Sequence, residues 1–257
     1  MERKGRVIAV SGKGGTGKTL ISTLLIRYLS EEGIRAILAI DADPDSNLAE
    51  ALGVEFERTV GDIREEFMEL NLPAGSERKK YLESKAFEIT VETDKFDLIV
   101  MGRPEGSGCY CAINHMLREI IDHTIEAYEF TVIDTEAGLE HLSRRTTQGV
   151  DIMVIVTDPS VKGFKTAERI KSLAENLELN FKRILLVVNR FDESNSNLRD
   201  ILEKKARETG ISEIHYIPED PLVNEYDLQG KPVVDLPEDS KSYMAAKGLA
   251  DSIIKDG

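Results

Sequence analysis

An α/β fold is predicted for this chain, a mostly parallel twisted sheet of about seven or eight strands with helices on both faces, and three observations predict it. Short apolar runs alternate with helical patterns along all 257 residues, the pattern left by strands buried on both faces and their crossover helices. The first apolar run enters a glycine cluster that opens onto a helical pattern, the strand-loop-helix order of a phosphate-binding loop. Nothing reads as a linker, so residues 1–257 are expected to form one domain around one core.

Residues 7–11 form the first expected strand, and Leu20, Leu24, Leu25 and Leu29 then recur at helical spacing up to Gly33. Residues 36–40 form the next strand, stopped by the proline and clustered acids of Asp41 to Asn47. A mostly polar helical region, a solvated helix pair or a docking surface, is expected over 59–86. Further strands are expected at 97–101, 130–134, 152–157, 184–189 and 214–217, and a last helix over 240–254. In open sheets of this kind a ligand sits beyond the carboxyl ends of the strands. The polar clusters below all fall there.

With 47 acidic against 33 basic residues the formal net charge is -14, so the average surface repels nucleic acid and anionic lipid. Neither is expected as a stable partner. The two cysteines are one residue apart, too close for an unstrained bridge, and fit reduced thiols. No leader pattern and no membrane-length apolar run is visible. A soluble cytoplasmic protein is expected.

Gly12-Lys-Gly-Gly-Thr-Gly-Lys-Thr19 fits G-x-x-x-x-G-K-[ST] in its required context. Its glycines allow backbone N–H groups to point inward around phosphates, Lys18 reaches the terminal phosphates and Thr19 offers a hydroxyl to magnesium. Gly12, Lys13, Gly14, Gly15, Thr16, Gly17, Lys18, Thr19 and Leu20 are thus the expected phosphate-side residues. Lys13 makes the loop a deviant one, and here the chain resembles the MinD/ParA/nitrogenase iron-protein group of dimeric ATPases. That resemblance implies that Lys13 crosses a homodimer interface to the partner's nucleotide.

The acids fall into corresponding positions. Asp134 ends an apolar strand as a magnesium-holding carboxylate should. The resemblance further implies that Asp43 orients the attacking water, that Asp41 supports the magnesium shell, and that residues 135–138 (Thr-Glu-Ala-Gly) move on loss of the terminal phosphate. A capping or loop role is the alternative for the switch aspartates, Asp45 included.

Two segments compete for the base. Asn189-Arg-Phe-Asp192 imitates the guanine signature Asn-Lys-x-Asp, although Phe191 onward also reads as a polar helix start. Pro218-Glu-Asp220 looks like the adenine-embracing loop of the MinD-like ATPases. Asn189, Arg190, Pro218, Glu219 and Asp220 are therefore expected at the base, with ATP favoured over GTP on resemblance alone.

Cys109 and Cys111 lie in Gly106-Ser-Gly-Cys-Tyr-Cys-Ala112 at a loop-to-helix junction. A helix amino terminus stabilises thiolate, so such thiols suit soft or borderline metals. Two thiols offer at most half of a tetrahedral thiolate site. A pair of buried structural thiols is the alternative. The segment on a deviant phosphate loop resembles the CooC-type proteins, the nickel-insertion ATPases that mature carbon monoxide dehydrogenase. That resemblance implies two subunits pooling four thiolates around one Ni2+ or Zn2+ in the loop 106–112. It also implies ATP and Mg2+ as ligands and apo-carbon monoxide dehydrogenase as client. The nitrogenase iron protein differs in donating two well-separated cysteines per subunit. His115 is read as structural, and His123, His141 and His215 lack ligand spacing.

The leading expectation is an ATP-hydrolysing metallochaperone. A MinD/ParA-like positioning ATPase and an ATP-gated iron-sulfur reductase are the alternatives.

Overall fold

A computed structural model describes residues 5–70, 76–103, 116, 119–121, 124–136, 150–176, 181–194 and 196–255. One eight-stranded sheet organises them: β1 (Arg6–Gly12), β2 (Ile37–Ala42), β3 (Val91–Glu92), β4 (Asp97–Val100), β5 (Phe130–Thr135), β6 (Ile152–Thr157), β7 (Arg183–Phe191) and β8 (Glu213–Pro218). Their order is β3-β4-β2-β5-β1-β6-β7-β8. Every pairing is parallel except that of β3 with β4. The expected fold class is the one observed. β3, a two-residue antiparallel edge, was not among the expected strands, because two residues leave no periodicity to read.

Alternate residues of each buried strand enter opposite layers. Val7 and Ala9 of β1 join the layer under α3 (Val60–Leu70), α4 (Ser76–Ile89), α5 (Val161–Asn176) and α6 (Ser196–Glu208). Ile8 and Val10 join the layer under α1 (Lys18–Glu31), α2 (Asn47–Ala51) and α8 (Lys241–Lys255). The polar region over 59–86 thus becomes two helices that bury Val60, Ile63, Leu82 and Ala86, and Arg64 with them. α8 buries Tyr243, Ala246, Leu249, Ala250 and Ile253. No helix among the described residues is long and apolar enough to cross a membrane.

β7 runs past its expected end at 189. Arg190 takes a left-handed φ of 59°, and the register shifts between Asn189 and Phe191. This bulge lets Phe191 rejoin the ladder opposite Pro218 and bury its ring 5.4 Å from that of Tyr216. The reading of Phe191 as a helix start is therefore corrected. An aromatic side chain with a core slot available stays in the strand.

A phosphate loop with a buried magnesium side

The carboxyl ends of β1, β2, β5 and β7 converge on one site, and the loop after β1 is its floor. Helix α1 begins at Lys18 behind Gly17, whose φ is 93°, with no side-chain cap and no acidic residue in its first turn. Its free N–H groups and positive dipole end are thus left to an external anion. Thr16 closes the loop on itself, its hydroxyl donating to the Lys13 carbonyl at 2.8 Å. Beneath it, the Asn189 amide donates to the Thr16 carbonyl at 2.8 Å. A Cβ on Gly17 would lie 2.2 Å from that amide nitrogen. Glycine is required there by both backbone and space.

The magnesium side is a buried cluster. Asp134, 1 % exposed, accepts from the Thr19 hydroxyl at 2.7 Å and from the Ser22 hydroxyl at 3.1 Å. Asp41 stands opposite Asp134 in the β2/β5 register. Its Oδ2 accepts from the Leu48 N–H at 2.8 Å and its Oδ1 from the Asp43 N–H at 3.2 Å. Burial, then the neighbouring Asp134, pushes the Asp41 carboxyl up to about 7. Burial likewise raises Asp134 to about 6, against hydrogen bonds from Thr19 and Ser22 and the charge of Lys18. Lys18 offsets only part of the charge of two carboxylates this close and this dry. A divalent cation would offset the rest, so the donor set fits magnesium.

Beside this cluster opens a cleft of about 490 Å³. Gly14, Gly15, Gly17, Lys18, Thr19 and Leu20 line its phosphate end, Asp43 and Asp45 one wall, and Arg190 another. Lys13 and Arg190 are exposed, while Gly12, Thr16 and Lys18 are buried.

The far end of the cleft departs from expectation. Asp220 accepts from the Leu222 N–H at 3.0 Å, the Ser240 hydroxyl at 2.7 Å and the Ser242 N–H at 3.0 Å. It therefore caps both α7 (Pro221–Leu228) and α8, and these contacts hold its carboxyl below the usual range against its burial. Pro218 ends β8, and the Glu219 N–H donates to the Phe191 carbonyl at 3.0 Å. The cleft is lined instead by Val223, Asn224 and Asp227 of α7, by Lys231 and Val233 beyond it, and by Asn47 and Glu50 of α2. Asp192 of the guanine-like signature is turned to Ser194, accepting from its N–H at 2.9 Å and its hydroxyl at 2.6 Å. Sequence reasoning missed the α7 residues. The signal was faint: Val223 and Asp227 are one helical turn apart behind a proline at the helix start. It missed Ser22 too, three residues after Thr19 on the same helix face.

Cys109, Cys111, His115, Ala137 and Gly138 lie outside the described residues, as do His123 and His141. His215 is on β8, its Nε2 3.4 Å from the Ser252 hydroxyl.

An uncapped helix behind a glycine loop, a buried lysine, and a threonine hydroxyl bonded to a strand-end carboxylate together define a nucleotide-binding protein of the phosphate-loop class. The chain belongs to the CobQ/CobB/MinD/ParA nucleotide-binding family, whose domain model matches residues 7–233. It is 53% identical over 252 residues to an uncharacterized ATP-binding protein of Methanocaldococcus jannaschii, covering 96% of this chain and 98% of that one. It is 35% identical over 201 residues to the carbon monoxide dehydrogenase accessory protein CooC of Rhodospirillum rubrum, covering 71% of this chain and 73% of that protein. Among solved structures, the septum site-determining protein MinD of Pyrococcus horikoshii OT3, complexed with Mg-ADP, superposes with a TM-score of 0.71 at 27% identity over 97% of this chain and 96% of that one.

Proposed function

We propose that this protein is a cytoplasmic, ATP-hydrolysing metallochaperone that dimerises with nucleotide, binds nickel or zinc through Cys109 and Cys111, and delivers nickel to apo-carbon monoxide dehydrogenase. The observation that carries the reading is the 35% identity to CooC in a chain whose only two cysteines form a C-x-C pair.

Under this reading the phosphates of ATP lie against the N–H groups of residues 14–19, with Lys18 at the terminal phosphates. Thr19 and Asp134 hold magnesium, with Asp41 behind them. Magnesium, when bound, offsets the charge of the phosphate oxygens. Asp43 orients the attacking water, and Lys13, exposed on the loop, reaches a second copy's nucleotide. Asn189 supports the loop from below, and Arg190 flanks the base. Two copies held together by ATP pool four thiolates, and hydrolysis loosens the pairing and frees the metal, so that nucleotide and metal are linked ligands of one equilibrium.

The membrane-cycling alternative draws on similarity to MinD of Bacillus subtilis, 26% identical over 254 residues. The burial of Leu249 and Ile253 in the core counts against α8 serving as an interfacial anchor.

Nickel and zinc titrations with and without a slowly hydrolysed ATP analogue, read by elemental analysis and mass in one sample, test the proposal. One metal per two chains, a nucleotide-dependent dimer, and loss of binding in the Cys109→Ala, Cys111→Ala double variant are expected. Stoichiometric nickel in the double variant would sink the metal assignment.

A further inference from the structure

We propose that Arg103 is a positioning residue for Asp43, acting through Asp45, a residue of the cleft wall that it holds in an ion pair. The proposal rests on the reading of Asp43 as the residue that orients the attacking water.

The chain of contacts is short. The Arg103 guanidinium pairs with Asp45 Oδ1. The Asp45 N–H in turn donates to Asp43 Oδ1 at 3.0 Å, and the Ser46 N–H to the Asp43 carbonyl at 3.1 Å. Asp43 is thereby locked in a side-chain turn that leaves its Oδ2 without a hydrogen bond among the described residues, in a residue that lines the cleft. An orienting carboxylate needs one oxygen fixed and one free.

The other end is anchored more firmly than a surface arginine usually is. The Met101 N–H donates to the Asp41 carbonyl at 2.8 Å, and the Gly61 N–H to the Met101 carbonyl at 3.0 Å. Gly102 takes a φ of 67°, and a Cβ there would lie 2.6 Å from the Thr59 side chain. Thr59 is itself tied to Asp62, its N–H donating at 2.7 Å and its hydroxyl at 2.8 Å. The backbone that carries Arg103 is thus wedged between β2 and the start of α3. The loop it restrains is under local strain, since Ser46 holds a left-handed φ of 56° without being glycine. An external tether adds to the hydrogen bonds that hold this loop from within. Arg103 also stands six residues before Cys109 in the sequence, so the tether lies at the root of the C-x-C segment.

Both partners are more than half exposed, which limits the effect. Pairs of this kind alter an equilibrium by about two- to fivefold. Arg103→Ala is therefore expected to lower kcat for ATP by about two- to fivefold with KM unchanged. It should also speed hydrogen exchange in the peptide covering 43–48. Arg103→Lys, which keeps the charge, should restore most of both. Unchanged kcat and exchange in Arg103→Ala overturn the proposal, as does an equal loss in the alanine and lysine variants accompanied by a lower melting temperature. If the parent protein binds ATP without turning it over, the hydrolytic reading of Asp43 fails. The exchange measurement then still decides whether Arg103 holds the loop.

Discussion

The two ends of the nucleotide cleft are built in opposite ways. At the phosphate end, Thr19, Ser22, Asp41 and Asp134 are tied to one another or to backbone N–H groups, and Asp41 and Asp134 are almost wholly buried. At the far end, Asn224 and Asp227 of α7, Lys231 beyond it and Arg190 of β7 are exposed. A preorganised end stores its geometry in the fold and loses much when one atom is misplaced. An open end makes contacts that are individually weak, so its substitutions should be milder.

The sharpest way to break that contrast is Gly17→Ala. The new methyl meets both a left-handed backbone and the Asn189 amide nitrogen at 2.2 Å, a combined cost of about 2–4 kcal/mol. ATP affinity should fall with it, because the displaced N–H groups are those that face phosphate. Asn189→Ala in the same chain removes the overlap but not the strained φ, so the double variant should recover part of the stability. Chemical denaturation and nucleotide titration of the three proteins check this. Gly17→Ala with parental stability would mean that the loop is not preorganised.

The same contrast decides what was legible in the sequence. Residues 12–19 are contiguous, and each has a role that depends on its immediate neighbours, so glycine spacing alone locates the floor of the site. Asp41 and Asp134 end apolar strands, and strand ends in a parallel sheet point to one rim. The far end has no such locality. Val223 and Asp227 line the cleft together with Asn47 and Glu50 of α2, a juxtaposition no local pattern encodes. Asp220 misled for a related reason: an aspartate before a proline-started helix suits a cap and a ligand equally in sequence, and only its three contacts, with Leu222, Ser240 and Ser242, decide. The β7 bulge was illegible because arginine carries no preference for positive φ.

Asp41 provides a sharper test of the buried end through pH. Its carboxyl is raised in the fold to about 7 from an ordinary value of 3.8, chiefly by burial, and Asp134 is shifted in the same direction. A raised carboxyl favours the folded state while protonated. Its contribution is full below about pH 4, where folded and unfolded chains both hold the proton, and is lost as pH rises through about 7. For the nucleotide-free protein, Asp41→Asn removes that titration and should flatten the fall in stability between pH 4 and 7 by about 1–3 kcal/mol. Denaturant midpoints at pH 5 and 7.5 measure it. An identical slope in the variant would show that Asp41 does not titrate in this window. Magnesium nucleotide, which favours the ionised pair, should stabilise the parent more at pH 7.5 than at pH 5.

The smallest effect is expected at the open end, where Arg190 combines an exposed side chain with a left-handed φ of 59°. Strain at a residue that lines a ligand cleft has two readings, a contact retained at a local cost or a bulge needed only to seat Phe191. Two substitutions separate them. Arg190→Gly relieves the backbone, adding up to about 1 kcal/mol of stability, but removes the guanidinium from the cleft. Arg190→Ala removes the guanidinium and keeps the strain. If the side chain contacts the nucleotide, both variants weaken ATP binding by the same factor, about two- to tenfold, and only the glycine variant gains stability. If the bulge serves Phe191 alone, both bind ATP as the parent does while the glycine variant still gains stability. In that case the open end rests on the α7 residues, and the contrast between the two ends is wider than the strain at Arg190 suggests.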